Sequence, residues 1–279
     1  MEKHLLNDSP PKYDNSDVNK VELLLNKYDI NSIFSEKLSI LENFNIVLLL
    51  DDSGSMNTPL DDHTEHATRW DELKEVIQIA IDIGVTYDED GIDLYFLNRE
   101  GAENVKSFNQ ITYLLKERPY GRTPLTSRVR EILQYYNNNN KNTLLIIGTD
   151  GVPTDNFGNS DVHNLKKVLK ERNAKKFYVS FLACSDNNED ISYLNELDTT
   201  IENIDTLDDY ISEKKEVLNI QGNGFNYSFP SHICRLLLGP ICEELDGLDE
   251  RKYSDGKRNI RNRNKNRNKN SRKSRCSIQ

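Results

Sequence analysis

The sequence predicts an α/β chain built on a doubly wound, mostly parallel central sheet flanked by helices. Two observations carry that expectation. Phe44–Leu50, Thr143–Thr149 and Lys176–Ala183 are nearly unbroken apolar runs without the in–out alternation of a half-exposed strand, as expected of strands covered by helices on both faces. Between them lie stretches whose apolar residues recur at helical spacing, so strands and helices alternate along the chain. A third observation concerns function. Oxygen-bearing residues follow directly on Leu50 and Thr149, and in such sheets the ligand crevice lies at the carboxyl ends of the strands.

Taken in order, residues 1–43 form an N-terminal extension. Its first part, with Pro10-Pro11 and scattered charge, reads as a lead-in, while Val21, Leu24, Leu25 and Tyr28 predict a short amphipathic helix over Val18–Tyr28. Phe44–Leu50 is the first core strand and opens a domain expected to span 44–220. The polar stretch 58–68 carries His63, Glu65 and His66, which do not make the HExxH zinc pattern and read as loop residues. Over Arg69–Val85 the residues Leu73, Ile77, Ala80, Ile81 and Gly84 share one face, which predicts a helix laid on the sheet.

Ile92–Leu97 is the second strand, with Asp93 expected to face solvent or an edge. Ser107–Glu117 reads as a helix that stops before Pro119. Thr126–Tyr136 is a further helix, with Pro124 near its first turn. After an asparagine-rich loop come the strand Thr143–Thr149, a helix over Ser160–Arg172 with Ser160 as its cap, and the strand Lys176–Ala183. Asp190–Leu197 is expected as a short helix, Ile201–Ile204 as a weak last strand and Asp205–Leu218 as a helix. Residues 221–250 form a helical C-terminal extension, broken at Pro240, in which Cys234 and Cys242 read as small core residues.

The stretch Asp51-Asp52-Ser53-Gly54-Ser55 stands at the end of the first strand. Asp51, Ser53 and Ser55 are spaced i, i+2, i+4, so on a loop their oxygens can converge, and one carboxylate with two hydroxyls suits a hard octahedral cation such as Mg²⁺. This stretch resembles the DxSxS element of von Willebrand factor type A (VWA) domains, which hold a cation in a metal-ion-dependent adhesion site (MIDAS). Gly121-Arg122-Thr123-Pro124-Leu125 is similar to the threonine loop of that family, and Gly148-Thr149-Asp150-Gly151 follows a strand as the family's second aspartate does. The resemblance implies a metal held by Asp51, Ser53, Ser55, Thr123 and Asp150, with one coordination place left for a carboxylate of a protein partner. It implies a binding module, not an enzyme. The alternatives are a Mg²⁺-dependent phosphohydrolase using the same cluster, although no P-loop or nucleophile–base pair accompanies it, and a soluble nucleic-acid binder acting through the basic tail.

Charge divides the chain. Formal net charge is −10, yet residues 251–279 hold twelve Lys/Arg against Asp255, which leaves an acidic body and a basic tail. The tail has no apolar face and is expected to be disordered. It ends in Cys276-Ser277-Ile278-Gln279, which resembles a C-a-a-X box with Cys276 as the acceptor of a farnesyl group, followed by carboxyl methylation. A polybasic run before a single lipid supplies the second signal that stable anchoring needs, so the expected location is the cytoplasmic face of a membrane with an anionic surface. No transmembrane run and no secretory signal core are evident, and Cys184, Cys234 and Cys242 are expected as reduced thiols.

Overall fold

The computed structural model describes residues 15–60, 68–185 and 187–253. The expectations for the histidine-containing loop, the basic tail and Cys276 lie outside the described residues. Within them the chain is α/β, with a six-stranded, mostly parallel sheet between two layers of helices.

The strands are β1 Phe44–Leu50, β2 Ile92–Phe96, β3 Ala102–Val105, β4 Asn142–Thr149, β5 Phe177–Ala183 and β6 Ile204–Leu207. They lie in the order β3-β2-β1-β4-β5-β6, with all pairs parallel except β2–β3. The apolar runs have a direct cause: in β1, Ile46, Leu48 and Leu50 face one core while Val47 and Leu49 face the other, so both sides of the strand are apolar.

The helices are α1 Asn15–Tyr28, α2 Ser32–Ser35, α3 Arg69–Tyr87, α4 Thr112–Leu115, α5 Leu125–Tyr136, α6 Val162–Glu171, α7 Asn188–Thr200, α8 Tyr210–Gln221, α9 Phe229–Leu238 and α10 Glu243–Asp246. One face of the sheet is covered by α5, α6 and α7 through Val129, Leu165 and Leu194. The other is covered by α3 and α9 through Ile77, Leu236 and Leu237, joined by Leu24 of α1, Phe34 of α2 and Leu245 of α10. Residues on both sides of 44–220 thus contribute to the sheet's own core. Helix α1 is held to α3 by Tyr28 Oη and Lys27 Nζ, which donate to Asp82 Oδ2 at 2.5 and 2.6 Å.

Several expectations shift. A short antiparallel strand, β3, follows β2, and Asp93 is half-buried beside it, accepting from Asn104 N at 2.7 Å and from Tyr136 Oη. Ser107–Glu117 is not one helix but a 3-10 turn, Phe108–Gln110, followed by the four-residue α4. Ser160 bridges Thr154, which leaves Asp161 at the start of α6. The last strand is Ile204–Leu207 because Asp205 is accommodated inside it; α8 begins only where Asp209 caps Ile211 N and Ser212 N.

Candidate metal centre

The chain runs outward from β1 to β2 and β3 on one side, then returns to lay β4, β5 and β6 on the other. The order therefore reverses between β1 and β4, and a crevice opens at the carboxyl ends of two strands that diverge at such a point. Asp51 directly follows β1 and Asp150 directly follows β4. Asp51 N donates to Gly148 O at 2.9 Å, which ties the two strand ends together.

The oxygens meet there. Asp51 accepts from Ser53 N at 2.9 Å through Oδ1 and from Thr149 Oγ1 at 2.6 Å through Oδ2. Ser53 and Ser55 share a hydroxyl–hydroxyl bond of 3.1 Å, and Ser55 Oγ donates to Asp150 Oδ1 at 2.8 Å. Both aspartates and Ser53 are buried. Burial, and then the charge of Asp150, push the Asp51 carboxyl up to about 7. Two carboxylates in one pocket of hydroxyls disfavour their joint ionisation, and a cation among them reverses that preference.

Thr123 lies on the neighbouring loop, buried, with its backbone joined to Thr154 in both directions: Thr154 N donates to Thr123 O at 2.8 Å, and Thr123 N to Thr154 Oγ1 at 3.1 Å. Gly54 N donates to Gly121 O at 3.2 Å, which draws the serine loop against the threonine loop. The two serines and two aspartates are thus linked by hydrogen bonds, and the threonine joins them through its loop. The donor set is hard oxygen throughout, the kind that fits Mg²⁺.

Two arginines, both unforeseen from the sequence, complete the picture. Arg69, the first residue of α3, gives Nη1 to Asp150 Oδ2 at 2.9 Å with its side chain 14% exposed. Arg99 gives Nε to Asp52 Oδ2 at 2.6 Å, while Asn98 N donates to Asp52 Oδ1 at 2.8 Å. Its Nη1 reaches Leu114 O and Glu117 O, its Nη2 reaches Arg118 O, and its plane lies 5.3–5.5 Å from the ring centres of Phe96, Trp70 and Tyr120. Asp52 thereby braces the serine loop against β2 and the segment before the threonine loop. The side chain between two candidate ligands points away from them, as alternation along the loop requires.

Beside the cluster, residues 154–160 form a tight turn in which Asp155 Oδ1 accepts from Phe157 N and Asn159 N at 2.8 Å each. Arg122 Nη1 donates to Asn156 O at 2.6 Å, and Phe157 stands 84% exposed at the tip.

The chain matches no family model and no curated protein. Among solved structures it is similar to the PilB minor pilin from Streptococcus sanguinis and to a single-residue mutant of that pilin. Identity is 14% in both cases, with TM-scores of 0.43 and 0.45, over 59% of this chain and 57% of the pilin. The matched region is thus little more than half the length of the pilin.

Proposed function

We propose that this chain is a metal-dependent protein-binding module of the VWA kind, an adaptor that captures an acidic group of a partner. One observation carries the reading: Asp51 and Asp150, from the two strands flanking the reversal of strand order, are joined through Ser53 N and the Ser53 and Ser55 hydroxyls into one oxygen cluster, buried at both aspartates and exposed at Ser55. A hard divalent cation in that cluster supplies a positive centre to which a partner's carboxylate can bind. The chain's residues do the rest. Asp51 and Asp150 supply charge, Ser53, Ser55 and Thr123 supply neutral oxygens, and Asp52 with Arg99 holds the loop in place. Neutral oxygens matter because two carboxylates already balance a divalent cation formally, and further anionic ligands on the chain would repel a partner's carboxylate from the remaining coordination place.

The test is a calorimetric titration with MgCl₂, followed by binding of aspartate- and glutamate-containing peptides with and without Mg²⁺. The wild type should bind Mg²⁺ and take up peptide only in its presence, and Asp51→Ala should lose both. Peptide uptake indifferent to Mg²⁺, or a fully active Asp51→Ala protein, overturns the reading.

The same proposal includes attachment to a cytoplasmic membrane face through a farnesyl group on Cys276, supported by the basic residues around it. Intact mass of the protein made in a eukaryotic cell, beside Cys276→Ser, decides it. The lipid adduct with loss of the last three residues is expected; an unmodified terminus at Gln279 removes the anchor and leaves the binding module.

A further inference from the structure

We propose that Asp198, Asp205 and Asp246 form a second, separate site for a hard divalent cation of calcium's size, at the β6 edge of the sheet. The three residues come from α7, β6 and α10, and one carboxylate oxygen of each lies within 4.8 Å of the others. Two oxygens on one ion are separated by at most twice the bond length, about 4.6–5.2 Å for Ca²⁺ and about 4.0–4.2 Å for Mg²⁺. The whole range open to these oxygens is within the reach of calcium.

Acidic clusters are common, but in this one a buried carboxylate oxygen receives no hydrogen bond. Asp205 is 2% exposed, and its Oδ2 has no hydrogen-bond partner among the described residues. Ser180 is its register partner on β5, so the two side chains share a face of the sheet; Ser180 is fully buried and its hydroxyl is likewise without a partner. An unanswered buried carboxylate oxygen costs several kcal/mol unless something compensates it, and an adjacent idle hydroxyl is a natural further ligand.

The backbone is shaped around that oxygen. A Cβ on Gly239, which closes α9, would come within 1.7 Å of Asp205 Oδ2, so only glycine leaves the carboxylate its place. The nearby guanidinium of Arg235 is turned elsewhere: Nη1 goes to Glu213, and Nη2 to Asp249 Oδ1 at 2.9 Å and Asp246 O at 2.7 Å. Burial, then the charge of Asp246 and a hydrogen bond with it, raise the Asp205 carboxyl well above the usual range. A bound cation would clasp α10 to the sheet edge, and would owe nothing to the centre at Asp51 and Asp150.

The experiment uses full-length Asp150→Ala, in which the first centre is disabled, titrated with CaCl₂ by calorimetry and by thermal melting. One calcium per chain with a rise in Tm is expected. Adding Asp246→Asn, a half-buried position, should weaken binding at least tenfold while the circular dichroism stays unchanged. Should Asp150→Ala fold poorly, Asp198→Asn in the otherwise native chain should bind one calcium fewer than wild type. No heat and no change in Tm up to 10-mM-scale calcium, or binding unaffected by either asparagine, overturns the site and leaves Asp205 and Asp246 as a carboxyl pair sharing a proton.

Discussion

Asp52 and Asp150 stand at the same end of the sheet, each buried and each facing an arginine, yet the two pairs are built differently. Arg99 is held by its partner, by three backbone carbonyls and by three aromatic rings, and its side chain is only 7% exposed. Arg69, at the capped start of α3, bonds Asp150 at 2.9 Å with its side chain 14% exposed, twice the exposure of Arg99. An arginine fixed on every side is part of the framework, because removing it strands a buried carboxylate. The more exposed arginine is the one that an incoming cation would displace. The difference separates the residue that shapes the loop from the one that competes for it.

The largest effect expected from this contrast is on stability. Arg99→Met should cost about 3–5 kcal/mol in urea unfolding, whether or not Mg²⁺ is present; a loss that Mg²⁺ restores would place Arg99 in the metal centre. Comparison across pH needs a known background, and His232 sets it. It is buried, with its Nδ1 3.2 Å from Tyr227 Oη, and burial followed by Arg235 pulls its pKa down to about 3. A histidine depressed in the folded state is protonated first in the unfolded one, so stability falls as pH drops below about 6.5, by at most ~1.4 kcal/mol per pH unit. His232→Asn should flatten that limb; an unchanged acid limb would show that other groups produce it.

Smaller, and specific to the cluster, is the response to metal. Once Mg²⁺ exceeds its Kd, the wild type should gain about 1.4 kcal/mol per tenfold increase in concentration. Asp150→Ala should keep its circular dichroism and show no such gain. Unfolding of that variant would mean that Asp150 belongs with Asp52, to the framework. The last effect is at Arg69: Asp150 is buried and Arg69 only 14% exposed, so Arg69→Gln should cost on the order of 3 kcal/mol without metal, a loss that Mg²⁺ restores, and should tighten Mg²⁺ binding several-fold. Weaker Mg²⁺ binding in this variant would make Arg69 a support of the site, and the two arginines would then differ in degree only.

The same contrast explains what could be read without coordinates. Strands β1, β4 and β5 were legible because both their faces are buried and their residues are mostly apolar. Asp51, Ser53 and Ser55 were legible from spacing within one loop. Arg69 and Arg99 were not, since each meets an aspartate 81 or 47 residues away, and nothing local marks an arginine for such a partner. Strand β3 escaped because Glu103 and Asn104 are exposed and leave too short an apolar signal. Strand β6 was misplaced by three residues because a buried aspartate, Asp205, reads as the end of a strand and not its interior.

The reversal of strand order also fixes when this protein can become competent. Thr149 and Asp51 are hydrogen-bonded across 98 residues of chain. During synthesis the serine loop emerges long before its counterpart, and a half-made sheet exposes Asp51 with no Asp150 to oppose it. Contacts of such separation close late in folding. A cation that needs both aspartates, as proposed above, would therefore add stability only to chains whose sheet is already assembled, and binding competence would report that the fold is finished.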